Sequence, residues 1–150
     1  MTAGLVSLES VGLDLARAGV DAAVAESRAR ELRTCCAIVD AAGHLVAFAR
    51  MDGAPFQTID IARAKAFSVA GNLTATHQYW ADIADDAWLV HGVRNIDGLS
   101  LLGGGIPIRM GDTVVGAVGV SGQSSMSDDQ AIAEVAAAAI ERLLGSRPSP

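Results

Sequence analysis

Four charged side chains stand out in a chain that is otherwise rich in apolar residues: Arg50, Asp52, Lys65 and Arg109. Arg50 and Arg109 fall at or near the ends of apolar, strand-like segments, and Lys65, the only lysine, sits on an alanine-rich helical stretch. Charges in such settings need partners. Two readings fit. One is an ion-pair network through Asp52 that ties a hairpin to a helix. The other is an anion site, because a guanidinium engages a carboxylate through two parallel hydrogen bonds. On the second reading Arg50 or Arg109 clamps the anion, and Asp52, Lys65 or His91 serves as acid or base. His91 follows the apolar run Ala87-Trp88-Leu89-Val90 and is the strongest of the three histidines as an axial metal ligand. His44 and His77 lie in no HExxH, HxH or cysteine-paired motif, and His44, after a turn glycine, is expected to face solvent.

The glycine-rich segment from Leu101 to Ser125 holds the second set of candidates. Gly103-Gly104-Gly105 leads into Pro107 and a hairpin, whereas a dinucleotide site needs its glycines between a strand and a helix N-terminus. Gly111 and Gly116 have the spacing of a P-loop, but Ala117-Val118 stand where a lysine and a hydroxyl residue are required. Gly119-Val120-Ser121-Gly122-Gln123 lacks the last glycine of a nucleophile elbow, and no histidine follows His91. Ser121 is therefore either a strand-end residue or a ligand hydrogen-bonder. Asp128 and Asp129 are assigned to compensation of a helix dipole.

The elements that must position these residues are legible from periodicity. Val11, Leu15, Ala18, Ala22, Ala25, Ala29 and Leu32 recur at helical spacing, which predicts an amphipathic helix from about Leu5 to Leu32. Thr34 to Asp40 and His44 to Met51 read as a hairpin around Ala41-Ala42-Gly43. Thr58 is expected to cap a helix that Gly71-Asn72 ends, and a short helix follows from Thr74 or Thr76 to about Asp86. Trp88 to Leu102 reads as a loop with a short strand near its end. Ile106 to Met110 and Thr113 to Val120 flank a Gly111-Asp112 turn. Ser127-Asp128-Asp129-Gln130 has the form of a capping box before a last apolar-striped helix. The order predicts an α/β (α+β) domain over residues 1–145, a mainly antiparallel sheet of about five strands flanked by helices, and a flexible tail over 146–150.

Composition narrows the functions. At 150 residues one domain buries enough surface to fold without staples. With 51% hydrophobic but only 4% aromatic residues, the core should rest on tight helix-on-sheet contact. A net charge of -6 argues against nucleic acid or an anionic membrane as partner. No apolar run approaches the roughly 20 residues of a membrane span, and the first ten residues lack the order of a signal peptide, so a cytoplasmic location is expected. Adjacent Cys35 and Cys36 point to opposite faces of a strand and are expected to be reduced core residues.

The words Val39-Asp40 with Gly43, Arg50-Met51-Asp52-Gly53-Ala54, Ala62 through Lys65-Ala66, Gly104-Gly105 with Pro107, and Gly116-Ala117-Val118-Gly119-Val120-Ser121-Gly122 occur in one order along the chain. In that order they resemble the GlcG/HbpS-like proteins, a family that includes the C-terminal domain of PduO-type corrinoid adenosyltransferases. The similarity runs from about Leu5 to Leu144. It implies an antiparallel sheet flanked by helices, assembly into homo-oligomers, and, for several relatives, haem binding. It places Arg50, Asp52, Lys65, Gly104, Gly105, Ser121 and Gly122 in a ligand pocket. The family pattern continues with a second glycine after Gly122 and a glutamine before the aspartate of the last helix. This chain has Gln123 and Ser127 at those places, so Gln123 adds donors and acceptors at the pocket edge. The implied function is small-molecule binding, with haem as one candidate ligand; on the reading of the residues, His91 or another side chain would be its axial donor and Arg50 or Lys65 would meet a propionate. The alternative is a cofactor-independent lyase, isomerase or hydrolase acting on a small carboxylated metabolite. A third is an oligomeric accessory protein.

Overall fold

A computed structural model describes residues 3–146. The strands are β1 (Thr34–Asp40), β2 (Leu45–Arg50), β3 (Gly105–Met110) and β4 (Thr113–Gly122). They form one antiparallel sheet in the order β2-β1-β4-β3, so the sheet has four strands and not five. The helices are α1 (Leu13–Ala29), α2 (Gln57–Asn72), α3 (Thr76–Ile83), α4 (Ala87–Val93) and α5 (Met126–Gly145). Apart from Ser146, whose N–H caps α5 through the Arg142 carbonyl, the expected tail lies outside the described residues.

Both faces of β1 are covered, which is why it reads as an unbroken apolar run. Cys36 and Ile38 point with Val118 and Val120 toward α1 and α5, where Leu15, Ile132 and Ile140 complete the larger core. Cys35, Ala37 and Val39 point with Ala117 toward Ala62, Ala66 and Val69 of α2. The second face is lined by small side chains, so α2 settles almost backbone to backbone on the sheet. A Cβ at Gly119 would collide with the Ala62 carbonyl and the Ala66 amide. Both cysteines are free and buried, as expected, and desolvation pushes the Cys36 thiol up to about 12.

Five local expectations need correction. The buried face of α1 runs through Leu15, Ala16, Gly19, Val20, Ala23 and Ser27, while Ala25 and Ala29 of the expected stripe are exposed, because the helix packs through Gly19 against Ile38 and Ile140. Residues 5–12 do not extend α1. Val11 is buried against the sheet and donates its N–H to Val115, and Ser10 Oγ accepts from Ala41 N–H, so helix formation waits until Leu13. Thr58 does not cap α2. It lies in the first turn, where its hydroxyl bonds the Pro55 carbonyl at 2.5 Å and meets Cys35 Sγ at 3.2 Å. The stretch after Trp88 is not a loop at its start but the helix α4, capped by Asp86, whose carboxylate accepts from the Trp88 and Leu89 amides. The capping box is centred on Ser125 with Asp128, two residues earlier than the sequence pattern suggests.

The tight face gives a direct test. Gly119→Ala should lower stability by at least about 1–3 kcal/mol through overpacking. Gly71→Ala, with nothing within 4 Å of the added Cβ, should raise it by up to about 0.5–1 kcal/mol. Urea denaturation of both variants checks the opposite signs.

Candidate functional site

Antiparallel pairing brings the chemically active residues to one end of the sheet. Cys35 pairs with Arg50 on one side and with Ser121 on the other, and Thr34 pairs with Gly122. The Gln123 amide donates to the Arg33 carbonyl. The start of β1, the end of β2 and the end of β4 therefore meet. At the start of β3, Gly105 pairs with Gly119, and the Gly104 carbonyl accepts from the Val120 amide. Arg50, Asp52, Lys65, Gly104, Gly105, Ser121, Gly122 and Gln123 all belong to this end. Arg109 does not. It stands at the other end of β3, where its guanidinium donates to the Leu73 carbonyl at 3.3 Å and its amide to Glu141.

Lys65 is the best-held charge in the molecule, with 1% of its surface exposed. Its ammonium donates to the Val120 carbonyl and to Asp129 Oδ2, each at 2.8 Å. The other carboxylate oxygen of Asp129 accepts a short hydrogen bond from Ser124 Oγ. Asp129 is thus not simply a helix-dipole charge. Because Ser125 and Asp128 already cap α5, Asp129 is free to turn inward and serve as the counterion of Lys65. The sequence offered a signal for this pair: a solitary lysine on an alanine-rich face needs a carboxylate.

Gly104 allows the pair to close. It adopts φ +117°, and a Cβ there would lie 2.7 Å from the Val120 carbonyl and 2.9 Å from Lys65 Nζ. Next to it, the Gly105 amide donates to Thr76 Oγ1 at 3.0 Å, which fixes the first turn of α3 against β3. Ser68 on α2 accepts from the Ser100 amide at 2.7 Å and holds the loop that precedes the glycines.

Of the cavities that open around this framework, one of about 580 Å³ lies along α2 beside Phe67 and Ser100, and two others bear on the site. One, of about 590 Å³, lies beside Arg50 and Asp52 and is also lined by Arg28 and Arg33. The other, of about 600 Å³, lies between α3, the loop of residues 99–103 and the first turn of α5, with His77, Trp80, Leu101, Leu102 and Met126 in its walls and Arg94 at its edge. His77 was not singled out in the sequence, since no motif surrounds it. His91 is exposed on α4 and is not among the residues that line this cavity. Asp52, Lys65 and His91, the three acid/base candidates, share no common cavity. No group of three or more histidine, cysteine, aspartate or glutamate side chains suited to a metal ion occurs among the described residues. No described helix is long and apolar enough to cross a membrane.

Breaking the buried pair has a predictable cost. Lys65→Met or Asp129→Asn alone should lose about 3–5 kcal/mol, and the double variant should lose less than the sum. Burial pulls the Lys65 amine below its ordinary value of 10.5, while the hydrogen bond and charge of Asp129 oppose that pull. Between the lowered folded value and the unfolded one, the unfolded chain binds more protons, so wild-type stability should rise with pH across that window. Lys65→Met should lack this contribution in urea denaturation followed over the same pH range.

The family model for "Haem degrading protein HbpS-like" matches residues 11–138. An uncharacterized 15.0 kDa protein from the dhaT-dhaS intergenic region of Citrobacter freundii is 30% identical over 128 residues, which cover 83% of this chain and 89% of that protein. Among solved structures, a double mutant of Streptomyces reticuli HbpS has a TM-score of 0.83 at 28% identity, covering 92% of each chain. A complex of PduOC with haem has a TM-score of 0.76 at 25% identity, covering 87% of this chain and 94% of that one. The match spans the whole sheet and the first four helices and ends within α5, and on that ground this chain belongs to the HbpS-like family.

Proposed function

We propose that the protein binds haem in the apolar cavity between α3 and the start of α5. The observation that carries this reading is the cavity itself. At about 600 Å³ it falls within the roughly 300–1,000 Å³ of small-molecule sites, and its walls join large apolar side chains to a single imidazole. His77 and Trp80 are three residues apart on α3, so they share a helix face. Gly103 lies between His77 and Met126, each within about 4 Å of where its Cβ would be, so the wall is closely built.

The donor set fits the group. Imidazole and thioether, from His77 and Met126, are ordinary axial donors for haem iron. Trp80, Leu101 and Leu102 offer apolar surface to a macrocycle, and Arg94 is placed to meet a propionate. Haem, when bound, would supply redox and oxygen chemistry of its own. The protein's part is to hold it, exclude water from one face and neutralise a carboxylate. This reading moves the axial donor from His91 to His77.

Homo-oligomeric assembly and a cytoplasmic site of action belong to the same proposal. The exposed apolar side chains Leu5, Val6, Leu8 and Trp88 support the first. The enzymatic alternative is not favoured, because Lys65 is closed off by Val120 and Asp129, and Asp52 and His91 stand apart.

An absorption titration with haemin tests the assignment. Wild type should give a saturable Soret band, His77→Ala should weaken binding at least tenfold, and His91→Ala should leave it unchanged. Non-saturable uptake by wild type, or equal binding by wild type and His77→Ala, would overturn the haem site.

A further inference from the structure

Three arginines line the cavity of about 590 Å³, Arg28 in the last turn of α1, Arg33 just before β1 and Arg50 at the end of β2, and none of them has a carboxylate partner among the described residues. The ion pairs among the described residues join Arg30 to Glu26 and Asp128, His44 to Asp40, Arg63 to Asp60, and Lys65 to Asp129. Arg28, Arg33 and Arg50 take part in none of them. Glu31 and Asp52 also border the cavity, yet neither comes within 4.0 Å of a guanidinium. Three positive and two negative side chains leave the lining with one excess positive charge.

Two of the three side chains, those of Arg50 and Arg33, lie against the turn that follows β2. Arg50 donates to the Ala54 carbonyl at 3.1 Å, which closes the turn after β2. Arg33 lies over Gly53: a Cβ there would be 2.7 Å from its Nη1 and 3.1 Å from its Cδ. Gly53 therefore leaves the space in which the Arg33 side chain rests. The Arg33 carbonyl is fixed in turn by the Gln123 amide. Arg28 reaches the cavity from the last turn of α1. Below the charges, Val24, Leu32, Ala49 and Met51 give the cavity an apolar floor.

From this arrangement we infer that the cavity is a second ligand site, specific for a small organic monoanion with a carboxylate head and a compact apolar body. A carboxylate suits guanidinium because two parallel N–H groups can meet its two oxygens. A single negative charge balances the excess on the lining, and Glu31 and Asp52 at the edge repel a more highly charged ligand. The apolar floor accepts a hydrocarbon body of a few carbons. This site shares no lining residue with the haem cavity, so the two readings stand or fall separately.

Hexanoate is the probe, with hexanamide as its neutral isostere and inorganic phosphate as the competing oxyanion. Isothermal titration of the full chain should show saturable hexanoate binding, at least tenfold weaker binding of hexanamide, and weaker binding of phosphate than of hexanoate. Arg28→Gln and Arg33→Gln should each weaken hexanoate binding at least tenfold, with thermal unfolding confirming that the exposed substitutions leave the fold intact. His77→Ala should leave hexanoate binding unchanged. Absence of saturable hexanoate binding, equal binding of hexanamide, or tighter binding of phosphate would overturn the inference. So would displacement of hexanoate by haemin, or Arg33→Gln behaving as wild type.

Discussion

The approach of α2 to the sheet at Gly119 is the constraint on which the other features depend. Because no side chain stands between them, the Ala62 carbonyl and the Ala66 amide rest directly on β4. That depth carries Lys65, one residue before Ala66, to the Val120 carbonyl and across to Asp129 on α5. A helix held farther from the sheet would leave the lysine short of both partners and would also open the space that Gly104 and Gly105 now close. Small residues on this face are therefore a requirement of geometry and not only a feature of composition.

The protein treats its charges in two ways. Lys65 is buried, and burial of an ammonium is tolerable only where acceptors replace its water. Val120 and Asp129 supply them, and in doing so they link α2, β4 and α5. At the neighbouring end of β2 the opposite holds. Arg28, Arg33 and Arg50 stay in contact with solvent, where a missing counterion costs little and a binding anion can be gained. The first arrangement makes structure, and the second leaves room for a ligand.

The apolar cavity has a different origin. It is bounded by the short helices α3 and α4, by the loop of residues 99–103 and by the first turn of α5. Thr76, Ser68 and the Asp86 cap hold these pieces through a few hydrogen bonds, not through a deep core. Leu102, Trp80 and Met126 consequently keep much of their surface exposed. Apolar side chains fixed in an open concavity are suited to a large flat ligand.

Much of the architecture was determined by the sequence alone. The strand pairs around Ala41-Ala42-Gly43 and Gly111-Asp112, the amphipathic stripe of α5, the existence of α1 and the placement of both cysteines in the core follow from local periodicity, which depends only on neighbours in the chain. Which face of α1 is buried did not, because its alanines and glycines carry too little contrast to fix it. The motif words around Arg50, Lys65, Gly104 and Ser121 also pointed to the end of the sheet where those residues gather. Their partners were not legible. Asp129 looked like a helix-start charge until the cap proved to be Ser125, a shift of two residues that decides which carboxylate turns inward. The seven residues of α4 were too few for a period to appear, although Asp86 marked its start. His77 has no motif around it, and only the fold of the 99–103 loop against α3 sets it in a cavity. Arg33 became a neighbour of Arg50 because β1 and β2 pair in one register, and Arg28 because α1 packs against β2. Local sequence sets which elements form, whereas contacts between residues 20 to 100 positions apart depend on packing depth and register, which only the folded chain establishes.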